Sequence, residues 1–369
     1  MSMEGVVYTS ELEEDHTVFV IKKNGKPLVA VFIHSRGPGI LASSGVSVRS
    51  LGGCRKWTYE DTSGMSADEA AYSDGRKLSR GMSHKAWMAR LRLGGGKSVI
   101  FEHNLEECGV SLSELWPMFG ELIRSIGYYH TAEDAGTTPE MMAELAKYAP
   151  EGLVGGAKEH DPSPWTALGV YRALNTAVRY AFPGKRIKDL SFAIQGLGNV
   201  GSVVAETLKD HGVCDMYIAD TIYDRVCSVH HEVPTAIKST PDEILYKDVD
   251  VLMPCALGGC ITEENVSRIN ASLVLGCANN QLATRGAGVL MHKHGIWYAP
   301  DFVVNAGGLL AVVELDLLRH DSEALDTRLD IISENVKTVL DCSLKTGRAS
   351  SEVAIAIAKE RGEAMCASA

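Results

Sequence analysis

Two lysines and a carboxylate carry the chemistry this sequence offers. Lys97 closes the run Arg92-Leu93-Gly94-Gly95-Gly96-Lys97, and Lys85 lies twelve residues upstream. Asp134 sits in Thr131-Ala132-Glu133-Asp134-Ala135-Gly136-Thr137-Thr138. Three glycines leave no side chains to shield an ammonium or to keep backbone away from a ligand. A second lysine nearby penalises the protonated form of the first. Burial acts in the same direction, pulling the lysine pKa from about 10.4 toward neutrality. A lysine that is neutral at working pH is a general base. If Asp134 faces Lys97, it can hold that lysine and share its proton. Glu133, one residue along, points elsewhere and suits solvent or a helix cap. The stretch carrying both lysines reads as one helix.

A second constellation lies further along. Residues 190–195 (LSFAIQ) form a short apolar run, followed at once by Gly196-Leu197-Gly198-Asn199-Val200-Gly201. A helical pattern through Val203, Val204 and Leu208 leads to a second strand at 216–219 and then Asp220, nineteen residues past Gly201. Strand, GxGxxG, helix, strand and acid in this order form a dinucleotide-binding fingerprint. Gly196 permits the tight turn, Gly198 lets backbone approach a pyrophosphate, and Gly201 lets helix and sheet pack closely. The helix opening at Asn199 and Val200 supplies amide donors and dipole for the phosphates. Asp220 would accept from the adenosine ribose hydroxyls and repel a 2′-phosphate, which favours NAD over NADP. Cys277-Ala278-Asn279-Asn280-Gln281-Leu282 follows another strand, at the carboxyl edge where such sheets bind ligands. Its amides can serve a carboxamide or ribose, or simply form the turn.

The elements that must position these residues are legible in outline. Residues 17–21 and 28–33 are β-rich runs joined through Asn24-Gly25, a hairpin signal. Residues 41–50 read as a loop or weak strand. Ser66-Ala67-Asp68-Glu69 is a capping box that opens a long helix toward Arg90, with Gly75 and Gly81 as its weak points. Ser111-Leu112-Ser113-Glu114 caps another helix, and Pro139 suits the first turn of one running to about Tyr148. Residues 151–164, rich in glycine, proline and charge, have the composition of an interdomain hinge. Beyond them helix and strand alternate, with strands at 249–253, 273–277 and 296–298, and the chain turns helical after Asn305-Ala306-Gly307-Gly308. The pattern predicts two α/β domains. A substrate-binding domain spans 1–155, and a Rossmann-type doubly wound NAD domain spans 156–315. C-terminal helices at 316–369 are expected to return to the first domain.

Composition narrows the function classes. The 369 residues carry a formal net charge of -11, and the isoelectric point is about 5.6. That balance argues against nucleic acid or an anionic membrane as partner. No apolar run approaches the roughly 18 residues that span a bilayer, and the acidic N-terminal stretch lacks a signal-peptide core. The nine cysteines include no CxxC, so they suggest reduced thiols in a cytoplasmic protein, with no metal site.

Taken in order, GMSHK with Lys85, LGGGKSVI with Lys97, TAEDAGTT with Asp134, PSPWTALGVYRAL, AIQGLGNVG, PCALGG, ANNQL and YAPDFVVNAGGL resemble the leucine, valine, phenylalanine and tryptophan dehydrogenases. These are amino-acid dehydrogenases related to glutamate dehydrogenase. The resemblance runs from about residue 51 to 314. It implies reversible oxidative deamination of an L-amino acid to a 2-oxo acid with NAD, by a homo-oligomer that acts on small molecules and whose 1–155 domain also serves oligomerisation. Lys85 would bind the substrate α-carboxylate, Lys97 would be the general base, and Asp134 would assist proton transfer. Thr166, Ala256 and Asn279 would match cofactor-contacting positions, and Asn280 matches more loosely. The substrate side chain would meet Leu51, Gly52, Met82, Ala132, Leu309 and Val312. That surface is apolar and lacks a cation for a second carboxylate, so it favours an aliphatic or aromatic substrate over glutamate.

The sequence also departs from that family. Ser83-His84 replaces the usual Thr-Tyr before the carboxylate lysine, Ala86-Trp87-Met88 replaces small residues after it, Ala311 stands where asparagine is common, and 39–50 looks inserted. Two other readings therefore stay open at this level. One is an NAD-dependent enzyme of the same fold that reduces an imine formed from an amine other than ammonia. The other is an NAD-binding protein without turnover.

Overall fold

The computed structural model describes residues 4–13, 15–43, 45–57, 64–149 and 161–367. Residues 150–160 lie outside this set, and with them most of the hinge expected at 151–164. The chain divides into two compact units, Met1–His160 with Leu315–Arg319 and Arg361–Ala369, and Asp161–Glu314 with His320–Glu360.

The first unit is built on a mixed six-stranded sheet. Its first three strands are β1 (Val6–Glu13), β2 (His16–Lys23) and β3 (Lys26–Ile33). Asn24 and Gly25, at φ 54° and 80°, turn β2 into β3; this is the left-handed pair that a two-residue hairpin of native twist demands. A short ladder of β4 (Ile40–Leu41) and β5 (Ser47–Val48) fills the stretch expected to be loop or weak strand. Then come β6 (Ser50–Trp57), β7 (Gly94–Phe101) and β8 (Tyr129–Glu133), in the order β1-β2-β3-β7-β6-β8. The strand β7 runs parallel to β6, and β6 parallel to β8. Around the sheet lie α1 (Ala67–Met88), α2 (Glu102–Glu107), α3 (Leu112–Ile126) and α4 (Pro139–Ala146). Ser66 and Ser111 form the two capping boxes as expected.

One expectation is overturned. Lys85 and Lys97 do not share a helix: α1 ends at Met88, the chain turns through Arg90 at φ 53°, and Lys97 lies on β7, whose eight residues are all buried. The physical reason lies in the glycines. Each costs about 1 kcal/mol in a helix relative to alanine, and the β-branched Val99 and Ile100 that follow favour a strand. The glycines serve close approach instead. A β-carbon on Gly95 would stand 2.1 Å from Ser79 O and 2.3 Å from Ser83 N, so only glycine lets α1 lie directly on β7. Gly75, a weak point of α1 in isolation, faces Phe32 of β3, where a β-carbon would come within 2.3 Å of the ring.

The second unit carries a wholly parallel sheet of β9 (Phe192–Gln195), β10 (Met216–Ala219), β11 (Ile237–Lys238), β12 (Val251–Pro254), β13 (Leu273–Val274) and β14 (Trp297–Tyr298). The order is β11-β10-β9-β12-β13-β14. Strand order therefore reverses between β9 and β12, the switch point at which doubly wound sheets bind ligands. The helices are α5 (Ser163–Ala181), α6 (Asn199–Asp210), α7 (Tyr223–Glu232), α8 (Arg285–Lys293), α9 (Asp301–Val304) and α10 (Gly307–Ala311). A π-helical stretch, Val312–Leu317, leads to α11 (Ser322–Arg328), α12 (Asp330–Thr346) and α13 (Ser350–Ala367).

The C-terminal helices at 316–369 were expected to pack back on the first domain. Instead His320–Glu360 belongs to the second unit. Arg172 of α5 explains this: its guanidinium pairs with Asp326 and Asp330, each at 2.7 Å, while Tyr180 donates to Asp341 at 2.7 Å. Leu315–Arg319 and the end of α13 join the first unit, the latter where Arg361 donates to Met88 O at 3.0 Å and Gly362 lies against the Trp87 ring. Among the described residues no helix is long and apolar enough to cross a membrane.

Candidate active site

The pairing of β6 with β7 sets Cys54 opposite Ser98 and Arg55 opposite Val99, next to Lys97. Lys97 is 5 % exposed, and its Nζ donates to Oδ2 of Asp134. Burial is the main force on this amine, and the Arg55 guanidinium adds to it. Asp74 and Cys54 oppose the shift and Lys85 reinforces it, leaving the pKa lowered to about 7. Burial and Arg55 thus outweigh Lys85, the like charge expected from the sequence to dominate.

The loop that presents Asp134 is tied down. Its amide donates to Thr137 Oγ1 at 2.9 Å, and that hydroxyl donates to Cys54 O at 2.7 Å. Gly53 makes room for it, since a β-carbon there would come within 2.8 Å of Asp134 Cβ. Glu133 is exposed, as its solvated reading required. Lys85 is buried on the last turn of α1 and near enough to act electrostatically on Lys97. The structure thus brings Lys85, Lys97 and Asp134 into one neighbourhood of the first unit.

Arg55 and Asp74 are in the same neighbourhood, and the sequence reading missed both. Arg55 Nε donates to Asp134 Oδ2 at 3.3 Å and Nη1 to Asp74 Oδ2 at 3.0 Å. The available signal was a lone guanidinium in the apolar segment Leu51-Gly52-Gly53-Cys54-Arg55, legible only once that segment is taken as an interior strand.

The departures around Lys85 have structural roles. Ser83 Oγ receives the Gly95 amide at 2.8 Å and bonds His34 Nδ1 at 2.8 Å, stitching α1 to the glycine strand. His84 packs 5.8 Å from Trp87 and 6.2 Å from His34, centroid to centroid. Trp87 occupies the room left by Gly362, where a β-carbon would meet it at 2.6 Å.

Of the residues expected to line the substrate pocket, Leu51, Gly52, Met82 and Ala132 belong to the first unit, and Leu309 and Val312 to the second. Leu51 is buried, whereas Met82 and Ala132 are half-buried. Gly52 is also held to glycine by packing, because its β-carbon would meet Gly96 O at 1.8 Å. Leu309 and Ala311 are buried on α10.

In the second unit the glycine-rich turn joins β9 to α6. Gly196 sits at φ 94°, and a β-carbon there would lie 2.6 Å from Ala256. On Gly201 it would come within 2.1 Å of Gly196 O, whereas Gly198 has nothing within 4 Å of its would-be β-carbon. The first turn of α6, from Asn199 through Val200, receives no capping side chain. Open space beside Gly198 and uncapped helix amides fit a dinucleotide pyrophosphate. Asp220 does more than the sequence assigned to it: Oδ2 accepts from the Leu197 amide at 2.7 Å and Oδ1 from the Ile222 amide at 2.8 Å, with Arg225 at 3.8 Å. It therefore locks the glycine-rich turn to the end of β10.

Thr166 on α5 donates to Pro162 O at 2.9 Å, and Gly308 leaves room for its hydroxyl. Asn279 Oδ1 accepts from Asn305 Nδ2 at 3.0 Å, and that same nitrogen donates to Cys277 O at 3.0 Å. Asn280 takes a left-handed turn at φ 52°, with its amide on Asp301. Gln281 is fully buried and its amide nitrogen donates to Gly276 O and Ala278 O. Of the two roles open to it, it fills the structural one.

Comparison with known proteins agrees with this geometry. The family model "Glu/Leu/Phe/Val dehydrogenase, dimerisation domain" matches residues 43–150, and "Glutamate/Leucine/Phenylalanine/Valine dehydrogenase" matches 221–363. Leucine dehydrogenase of Bacillus subtilis is 32% identical, over 98% of this chain and 95% of that one. Phenylalanine dehydrogenase of Caldalkalibacillus thermarum is 35% identical over 71% of this chain and 70% of its own. The crystal structure of L-tryptophan dehydrogenase from Nostoc punctiforme superposes with a TM-score of 0.72 at 27% identity, covering 98% of this chain and 97% of that one.

Proposed function

The chain belongs to the glutamate/leucine/phenylalanine/valine dehydrogenase family and is an amino-acid dehydrogenase, and on that premise we propose that it catalyses the reversible, NAD-dependent oxidative deamination of an apolar L-amino acid. The observation that carries the reading is Lys97, a buried amine on the Asp134 carboxylate with its pKa lowered to about 7. Such a group has no evident structural use, since a buried ammonium costs stability, but it suits proton transfer near neutral pH.

The Lys85 ammonium takes the substrate carboxylate and fixes Cα. A nicotinamide cofactor held at the glycine-rich turn by Gly198 and the α6 amides would supply the acceptor for the hydride, whose loss from Cα of the neutral amine makes the substrate an iminium. Neutral Lys97 removes a proton from the water that attacks the iminium carbon. Asp134 holds the resulting ammonium and passes the proton on to the departing nitrogen. Collapse of the carbinolamine, its hydroxyl proton going to the again neutral Lys97, then yields ammonia and a 2-oxo acid. None of the residues expected beside the substrate side chain, Leu51, Met82, Ala132, Leu309 and Val312, carries a cation for a second carboxylate. Relatives named for leucine, phenylalanine and tryptophan support an aliphatic or aromatic substrate. The match of 43–150 to a dimerisation domain supports a homo-oligomer.

The test follows NADH absorbance across a panel of L-amino acids with NAD, and of 2-oxo acids with NADH and ammonium. Turnover is expected on an apolar side chain and not on glutamate. Silence with ammonium but turnover with another amine would transfer the chain to imine reduction. Silence throughout, with NADH still bound, would leave a binding protein.

Cofactor choice has its own test. Asp220→Ala is expected to lower kcat/KM with NAD by about tenfold or more, the size of a lost charge-assisted hydrogen bond. NADP should lose far less, because the 2′-phosphate is no longer repelled and Arg225 is left to meet it. An unchanged ratio between the two cofactors would refute the ribose role.

A further inference from the structure

We propose that Arg55 is a positioning residue for this reaction: braced on Asp74 of α1, its guanidinium holds the Asp134 carboxylate in place on Lys97. The inference rests on the functional reading above and adds to it a residue that neither the sequence fingerprint nor the proton-transfer scheme required.

The geometry is specific. One carboxylate oxygen, Asp134 Oδ2, receives both Lys97 Nζ and Arg55 Nε. The other end of the same guanidinium, Nη1, is fixed by Asp74 Oδ2 at 3.0 Å. A guanidinium presents its donors as a rigid planar fork and does not deprotonate in a protein. Arg55 therefore bridges β6, α1 and the loop after β8 with a charge that stays constant through the catalytic cycle.

That constancy is what the site needs. When Lys97 is neutral, Asp134 has lost the charge of one of its two cations. Arg55 keeps a cation on the carboxylate and holds it in place whichever charge state Lys97 adopts. The groups facing Lys97 come from three elements: Cys54 and Arg55 on β6, Asp74 and Lys85 on α1, and Asp134 after β8. Of the like charges, Arg55 acts on the amine more strongly than Lys85, and Asp74 acts against both. Arg55 and Asp74 thus push the base in opposite directions while holding each other.

The experiment compares full-length wild type with Arg55→Met, Arg55→Lys and Asp74→Asn through two readouts. The first is the pH profile of kcat and kcat/KM for the amino acid found in the panel above. The second is competitive acetylation of Lys97 by acetic anhydride across pH, read by peptide mass spectrometry, which reports the titration of Lys97 whether or not the enzyme turns over.

In Arg55→Met the labelling midpoint and the acidic limb are expected to move up by about one pH unit or more. Its plateau kcat should fall about a hundredfold through loss of carboxylate alignment, with KM for the amino acid little changed. Arg55→Lys should restore the midpoint but not kcat, because an ammonium cannot span both carboxylates. Asp74→Asn should move the midpoint down and lower kcat. A merely structural role would move all variants alike. Coincident midpoints in wild type and Arg55→Met, or a plateau kcat close to wild type, would overturn the proposal. If Arg55→Met does not fold, an unmoved or raised midpoint in Asp74→Asn would overturn it equally. A wild type silent on every amino acid would sink the functional reading, while the labelling would still decide whether Arg55 governs Lys97.

Discussion

Lys97→Ala is expected to lower kcat for oxidative deamination by about 10²–10⁴-fold, the usual contribution of a positioned general base, while NADH binds as in the wild type. The two halves of this expectation have separate origins. The base lies on β7 of the first unit, whereas the glycine-rich turn, the uncapped start of α6 and Asp220 all lie in the second. The wild-type rate at saturating substrate should climb as pH rises through about 7, because the folded protein holds the Lys97 pKa there and only the neutral amine acts as base. That limb should vanish in the variant. Lys97→Met is the companion, since it keeps the aliphatic stem in the packed strand and so separates loss of the amine from a cavity. Stopped-flow or steady-state NADH absorbance measures kcat, and quenching of protein fluorescence measures NADH binding. Retention of most of the wild-type rate in both variants would end the assignment of Lys97 as base.

How much of this was legible beforehand depends on the range over which each residue acts. The hairpin at Asn24-Gly25 and the capping boxes at Ser66 and Ser111 are local, and each stands where its chemistry put it. The fingerprint from Gly196 to Asp220 is also local, because one βαβ unit contains all of it. The glycines before Lys97 are different. Their use is to admit α1, through Ser79 and Ser83, and nothing within the run itself reveals that partner. Read locally, they left β7 as the end of a helix, and β6 and β8, which flank the site, went unnamed with it. Arg55 was hidden for the same reason. Asp74 lies 19 residues away and Asp134 79 residues away, so the cluster exists only once three elements are folded together. The C-terminal helices were misplaced because their partner is Arg172 on α5, more than 150 residues earlier. Resemblance supplied the roles of Lys85 and Asp134. It did not supply Arg55, nor the reason that Ser83 and Trp87 are tolerated beside Lys85, which is that Gly95 and Gly362 accommodate them.

Lys85→Ala is expected to lower kcat/KM for the amino acid by about 10²–10³-fold, chiefly through KM. A carboxylate held by an ammonium in a partly desolvated site is worth about 3–5 kcal/mol when one partner is removed. Lys85 sits on the last turn of α1, where the helix carbonyls favour a cation, and its backbone is fixed by the packing of Ser83 on Gly95. The charge is therefore presented rigidly enough to orient Cα, and some loss of kcat should accompany the loss of binding. A second effect follows from its neighbour. Removing a like charge should raise the Lys97 pKa, but by less than Arg55→Met does, because Lys85 is the weaker of the two repulsions. The acidic limb should thus move up slightly while KM rises steeply, the reverse of the balance expected for Arg55. A substrate amine without a carboxylate distinguishes anchoring from general damage. Wild type and Lys85→Ala should process it at similar, low rates, since neither has a carboxylate to hold. If the variant loses as much on that amine as on the amino acid, Lys85 is not the carboxylate anchor.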